Sequence, residues 1–241
     1  METEVLSGWH FVSKDRKLSH EDGRLVKAGR TYKLRPGQQV AICKCGFHVS
    51  KTIREAFLYN YFVSEYRPIL CRVEVGGDLE YSGDIICGSY RKVLWTMNIE
   101  HILIKFVYEL IEDMFNTSVF FGSTHKDELR LFMEQSKEHI MQKPPQDNRL
   151  KLKLYKNRYL KQRTTVSKLE YLTALALREA TSKVGVECVA QVMRFHINMC
   201  KIITPAKSEF YFAKLQDERL TSLVLQAHAN WLASRRQRQK A

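Results

Sequence analysis

Nine lysines and arginines fall between positions 143 and 168 (Lys143, Arg149, Lys151, Lys153, Lys156, Arg158, Lys161, Arg163, Lys168) against a single acid, Asp147. Binding to nucleic acid needs cations gathered on one surface, because counterions released from the phosphates drive association. Tyr155 and Tyr159 are interleaved with these cations, and tyrosine rings offer stacking faces for unpaired bases. Arg235, Arg236, Arg238 and Lys240 form a second basic cluster. The candidate nucleic-acid contacts are therefore Arg149, Lys151, Lys153, Tyr155, Lys156, Arg158, Tyr159, Lys161, Arg163, Arg235, Arg236 and Arg238. RNA or single-stranded DNA is favoured over duplex, since no recognition-helix signature accompanies the tyrosines. Two other uses of such a run compete: a contact for an acidic protein partner, and a solvated helix face or linker.

Other residue types capable of chemistry are sparser. Cys43-x-Cys45-x-x-His48, with Cys71 or Cys87, contains zinc-ligand residue types. The spacing lacks the paired ligands of structural zinc sites, so buried thiols and no metal are expected. Asp78, Glu80 and Asp84 lie among glycines; carboxylates there could hold a hard cation, or simply solvate a turn. His196 sits near an apolar helical face and is read as a hydrogen-bonded core histidine. The chain contains no P-loop, dinucleotide-binding glycine fingerprint, HExxH or nucleophile elbow. No catalytic residue is assigned, no cofactor is expected, and a non-enzymatic role is favoured.

The formal net charge is +13 over 241 residues, with a pI near 9.5. Residues 151–241 hold 18 Lys and Arg against 6 Asp and Glu, while residues 1–150 are close to balanced. A large basic excess favours polyanions. A hydrophobic fraction of 44% argues for a folded core and against disorder. METEVLSGWH opens with acids and lacks an apolar run, so the six cysteines are expected as free thiols in a reducing, cytoplasmic setting. The most apolar stretch, 93–111, carries Glu100, His101, Lys105 and Glu109, and no membrane span is expected.

The elements that must position these groups divide near Pro144-Pro145. Short β-branched and aromatic runs at 8–13, 31–34, 40–43, 46–49, 69–75 and 91–95 read as strands. A loop around Ser82-Gly83-Asp84 precedes the last of these. Residues 51–62 read as a helix capped by Ser50, with Ile53, Ala56, Phe57 and Tyr61 on one face. Residues 98–114 form the strongest amphipathic helix, behind Asn98. A helix at 126–141 follows a Thr124/Asp127 capping box, and Ser167-x-x-Glu170 opens another to about 182. Helices at 186–203 and about 215–233 complete the pattern, with a frayed basic tail. The Leu/Lys alternation of 149–155 reads as a strand with leucines on one side. The predicted class is α+β: a small mixed or antiparallel sheet domain at 1–118, a helix and linker at 119–147, and a basic helical domain at 148–241.

Several of these segments resemble an uncharacterised family of bacteriophage proteins: Gly8-Trp9, Gly46-Phe47-His48, Val73-Glu74-Val75-Gly76-Gly77-Asp78, Gly83-Asp84 and Arg91-Lys92-Val93-Leu94-Trp95, with Asp217-Glu218-Arg219-Leu220 in the helical remainder. That resemblance implies a phage origin and the host-cell cytoplasm, and assigns no activity. A second, weaker resemblance is to the ADP-ribosyltransferase fold. It rests on Trp9-His10, on Gly46-Phe47-His48-Val49-Ser50 with Ala56 and Tyr59, and on the strand from Ile69 to Gly77. This implies a candidate NAD pocket in which His10 holds the ribose, His48 stands where many members have Tyr, and Tyr59 stacks near the nicotinamide. The fold's catalytic Glu should precede the strand of Tyr90-Arg91-Lys92-Val93, and Ser89 stands there; a serine cannot stabilise the developing cation. Three functions remain: a non-enzymatic nucleic-acid-binding phage accessory protein; an NAD-dependent ADP-ribosyltransferase, or degenerate relative, acting on a host target; and an interaction module or inhibitor of an acidic host or phage protein.

Overall fold

The computed structural model describes residues 4–18, 22–42, 44–61, 69–83, 85–141, 149–182 and 186–240. In chain order the elements are β1 (Val5–Val12), β2 (Thr31–Lys33), β3 (Phe47–Ser50), α1 (Ile53–Tyr61), β4 (Ile69–Ser82), β5 (Ile85–Asn98), α2 (Glu100–Phe120), α3 (Lys126–Met141), α4 (Arg149–Gln162), α5 (Thr165–Ser182), α6 (Val186–Ile203) and α7 (Glu209–Lys240). The class is α+β. Among the described residues no helix is long and apolar enough to cross a membrane. Two compact units emerge, Met1–Glu100 with Leu220–Ala241, and His101–Arg219. The apolar stripe of α2 groups with the helical unit, and the later part of α7 groups with the sheet unit, a partition set by long-range packing that local pattern does not encode.

In the sheet unit all strand pairings are antiparallel, in the order β2-β5-β3-β1-β4, with β4 also pairing along β5. The pairings β1–β3, β3–β5, β5–β4 and β4–β1 close a ring, and β2, paired only with β5, remains as the edge strand. Gly8 permits the close approach of β1 to β3, since a Cβ there would lie 2.6 Å from the Ser50 carbonyl oxygen. The Val73–Asp78 stretch encloses an irregularity between Gly76 and Leu79. Gly77 adopts a φ of 78° there, and the Asp78 amide donates to Ser89 Oγ at 3.0 Å. Such a bulge bends a long hairpin. Val12, Val26, Tyr32, Phe47, Val73 and Val93 belong to the core inside.

Local details depart from the sequence expectations. Thr52, not Ser50, caps α1: its Oγ1 accepts from the Glu55 amide, and Glu55 Oε2 accepts from the Thr52 amide, both at 3.1 Å. Ser50 is consumed by β3. Ile53, Ala56 and Phe57 are buried as the periodicity requires; the Tyr61 side chain lies outside the described residues. Instead of a strand at 40–43, Ala41 and Cys45 form an isolated bridge, because the Ala41 carbonyl already takes the Lys44 and Cys45 amides at 3.0 and 2.8 Å; Cys43 lies outside the described residues.

In the helical unit α5 packs against α3, α4 and α6. Ile102, Leu103, Phe106, Leu110 and Met114 of α2, Leu129 and Phe132 of α3, and Leu169, Leu172 and Leu177 of α5 are buried. The strand reading of 149–155 fails, since this stretch begins α4. The Leu/Lys alternation is overridden because Tyr155, at helical spacing from Tyr159 and Leu152, buries its ring. Thr164 caps α5, its Oγ1 accepting from the Ser167 amide at 3.1 Å. Glu170 is not the capping carboxylate; it is 2% exposed and accepts from Ser123 Oγ at 2.5 Å. Finally, α7 begins before 215 and continues through the basic tail.

Candidate functional site

The basic run stands on α4, whose surroundings sort its residues into two groups. Tyr155 is 2% exposed, so its ring is no stacking platform for a base. Burial pushes its phenol above the ordinary tyrosine range. The Arg158 guanidinium lies 5.3 Å over that ring and pairs with Glu128 Oε2 at 3.0 Å, which holds the Glu128 carboxyl below its usual value. Arg158 therefore fastens α4 to α3. Tyr159 stacks against Tyr171 of α5, centroids 5.7 Å apart and planes 11° apart. These three expected contacts thus form the inner face of α4.

The outer face carries Lys153, Lys156 and Lys161, all exposed, with Arg163 and Lys168 exposed just beyond. Arg163 adopts a φ of 50° between α4 and α5. Among the described residues none of these five cations has a carboxylate partner, whereas several carboxylates of this unit are engaged elsewhere. Glu128 is on Arg158, Asp113 on Arg219 at 2.6 Å, Glu179 on Arg178 at 3.0 Å, and Glu170 inside on Ser123. Leu154 and Leu160 are exposed between the lysines. The side chains of Arg149 and Lys151 lie outside the described residues.

Asp113 also faces His196 Nε2 at 3.7 Å, while His196 Nδ1 lies 3.2 Å from Gln216 Nε2. His196 is thus held in a polar network, as expected of a core histidine. Contact with His196, then Arg219, holds the Asp113 carboxyl below the usual aspartate range.

In the sheet unit, His10, His48 and Tyr59 come from β1, β3 and α1 and line one cleft with Trp9, Phe11, Val49, Ser50, Ala56 and Ile85. The cleft is shallow: its roughly 300 Å³ of empty space includes the solvent at its open mouth. The His48 and Tyr59 rings are stacked with centroids 6.1 Å apart. None of the described lining residues is a carboxylate. Ser89, at the position of the expected catalytic Glu, accepts the Asp78 amide and serves the bulge. The cysteine motif assembles no metal-ligand group among the described residues; Cys43 lies outside them, Cys87 Sγ donates to the Cys45 carbonyl at 3.6 Å, and burial pushes the Cys71 thiol up to about 12. Of the acidic loop, Glu80 accepts the Ile42 amide at 2.9 Å, and Asp84 lies outside the described residues.

One feature escaped the sequence pattern. The indole of Trp95 stacks on His228 (4.2 Å, 17°), and His228 on Trp231 (5.9 Å, 18°), with the Arg235 guanidinium 5.5 Å over Trp231. The signal was present in α7, since His228, Trp231, Arg235 and Arg238 recur at intervals of three and four. Pairing with β5 could not be read locally.

Comparison of the chain with protein-family models, with curated proteins and with solved structures finds no match.

Proposed function

We propose that this protein is a non-enzymatic, phage-type accessory protein that binds nucleic acid, RNA or single-stranded DNA, through the outer face of α4. The observation that carries the reading is the exposure of Lys153, Lys156 and Lys161, with Arg163 and Lys168, without carboxylate partners among the described residues. Solvated lysines of this kind neutralise phosphate and release counterions, with no need for fixed geometry. Titrating single-stranded RNA, single-stranded DNA and duplex over a range of salt tests it. Five neutralised phosphates give a log–log slope of roughly −3.5 on single strands and about −4.5 on duplex. Combining Lys153→Ala, Lys156→Ala and Lys161→Ala should remove about two units of the single-strand slope and most of the affinity at low salt. An unchanged slope in that variant ends the reading. Recovery of the same protein partner from lysate with and without nuclease would move the assignment to an interaction module.

A second reading is favoured by the meeting of His10, His48 and Tyr59 in one cleft. It takes the sheet unit as a degenerate relative of the ADP-ribosyltransferases that retains the His10, His48 and Tyr59 side chains in one recess without the carboxylate. NAD would contact His10 through its ribose and Tyr59 through its nicotinamide. Calorimetric titration with NAD, alongside transfer of label from radiolabelled NAD, separates three cases: active transferase, binder without transfer, and neither, the last of which removes the reading.

A further inference from the structure

From the aromatic ladder of the sheet unit we infer a base-stacking site for single-stranded nucleic acid at Trp231, flanked by arginines. The ladder runs in unbroken ring contacts. Arg72 lies 4.6 Å over Trp9, Trp9 meets Trp95 edge-on at 5.7 Å, Trp95 stacks on His228, and His228 on Trp231, over which Arg235 lies. Its inner end is closed, since Trp9 is buried; its outer end is open, since Trp231 is 44% exposed. The exposed cations are on that outer end. Arg235, Arg236 and Arg238 have no carboxylate partner among the described residues and stand within seven residues of the indole. An exposed indole under a guanidinium matches a nucleobase in shape and polarisability, and the neighbouring arginines match its flanking phosphates. The indole is held on its inner side by His228, so its orientation is set before a strand arrives, which lowers the entropy cost of stacking. On binding, the base takes the place of the Arg235 guanidinium on the ring and that guanidinium turns to the adjacent phosphate. A duplex, whose bases are already stacked, gains only the phosphate contacts.

The inference takes its ligand class from the nucleic-acid reading but stands on different residues, so the two can fail separately. The probe is an oligo(dT) strand carrying a single aminopurine, compared with a duplex of equal length at one ionic strength, with the full chain. Trp231→Ala should weaken single-strand binding by roughly fivefold to a hundredfold and change duplex binding by less than about twofold. Trp231→Phe should restore most of the loss, which distinguishes stacking from misfolding. Wild-type protein should quench the aminopurine emission at saturation, and Trp231→Ala should not. Equal losses on single strand and duplex, or no quenching by the wild type, overturn the proposal. If the α4 triple variant binds like wild type while Trp231→Ala fails on single strands, the α4 reading falls and the ladder stands; the reverse pattern removes the ladder alone.

Discussion

The sheet strands and the outer face of α4 use positive charge in opposite ways. In the sheet unit several arginines are laid on aromatic rings: Arg24 and Arg30 over Tyr32 at 5.7 and 5.6 Å, Arg72 over Trp9, and Arg91 over Phe47 at 5.4 Å. Carboxylates add to this, with Asp22 on Arg24 at 2.6 Å and Glu74 near Lys92 at 3.5 Å. In the helical unit the outer face of α4 presents lysines, solvated and without carboxylates beside them. Side-chain chemistry accounts for the division. A guanidinium is planar and weakly hydrated and tolerates the face of a ring, whereas an ammonium is compact and strongly hydrated and keeps to water. Net charge alone therefore does not mark a ligand surface; what marks it is cations left over after rings and carboxylates have been served.

The comparison is broken most directly at Arg91. That side chain is 2% exposed, donates from Nη1 to the His48 carbonyl at 3.2 Å, and leaves Nε without a partner. Burial lowers its pKa to about 10. Arg91→Met keeps the stem and removes the charge, and should stabilise the sheet unit by about 1–4 kcal/mol in urea melts. Lys156→Met on α4 should change stability by less than about 0.5 kcal/mol. Equal responses would show that the two placements do not differ energetically.

A smaller effect is expected inside the helical unit. Ser123 Oγ donates to the buried Glu170 and accepts the His125 amide at 3.1 Å, joining α5 to the start of α3. Ser123→Ala leaves both without that partner and should cost about 1–3 kcal/mol by thermal melt, with no effect on nucleic-acid affinity at temperatures where the variant is folded. Loss of binding in the folded variant would place the site elsewhere than α4.

The smallest effect concerns acid. The folded Asp113 carboxyl titrates below its ordinary value of 3.8, so the unfolded chain takes up the proton first as pH falls. Its stabilisation is complete above that value and is lost as pH falls through the folded one. Because Asp113 and Arg219 are both about 40% exposed, solvent screening keeps the contribution below about 1 kcal/mol. Asp113→Asn should flatten this part of the acid-denaturation curve; an unaltered curve would show that the contacts with His196 and Arg219 are fully screened.

Much of the fold was legible in the chain. The stripe of α2, the extent of α6 and the hairpin at 82–85 follow from periodicity and turn residues, because each is settled by neighbours within about one helical turn or one strand pair. The α4 segment was not legible as a helix, since its Leu/Lys alternation mimics a strand and only the burial of Tyr155 decides the period. The basic run was visible, but not which of its members are occupied. Arg158 is taken by Glu128, thirty residues away in sequence, and Tyr159 by Tyr171. His10, His48 and Tyr59 were linked by resemblance alone, and the register of β1 and β3 brings them to one cleft.

By itself, then, the amino-acid order determined the α+β class, the concentration of charge in the second half and the absence of familiar nucleotide-binding or zinc-protease motifs, because these are properties of composition and short-range spacing. The tertiary structure decided which cations remain unpaired, which tyrosines are hidden, and that a tryptophan of β5 and an aromatic stretch of α7 form one stack. Those outcomes depend on partners distant in the chain, and pairing at long range is selected by the free energy of the whole packed unit and not by any local pattern.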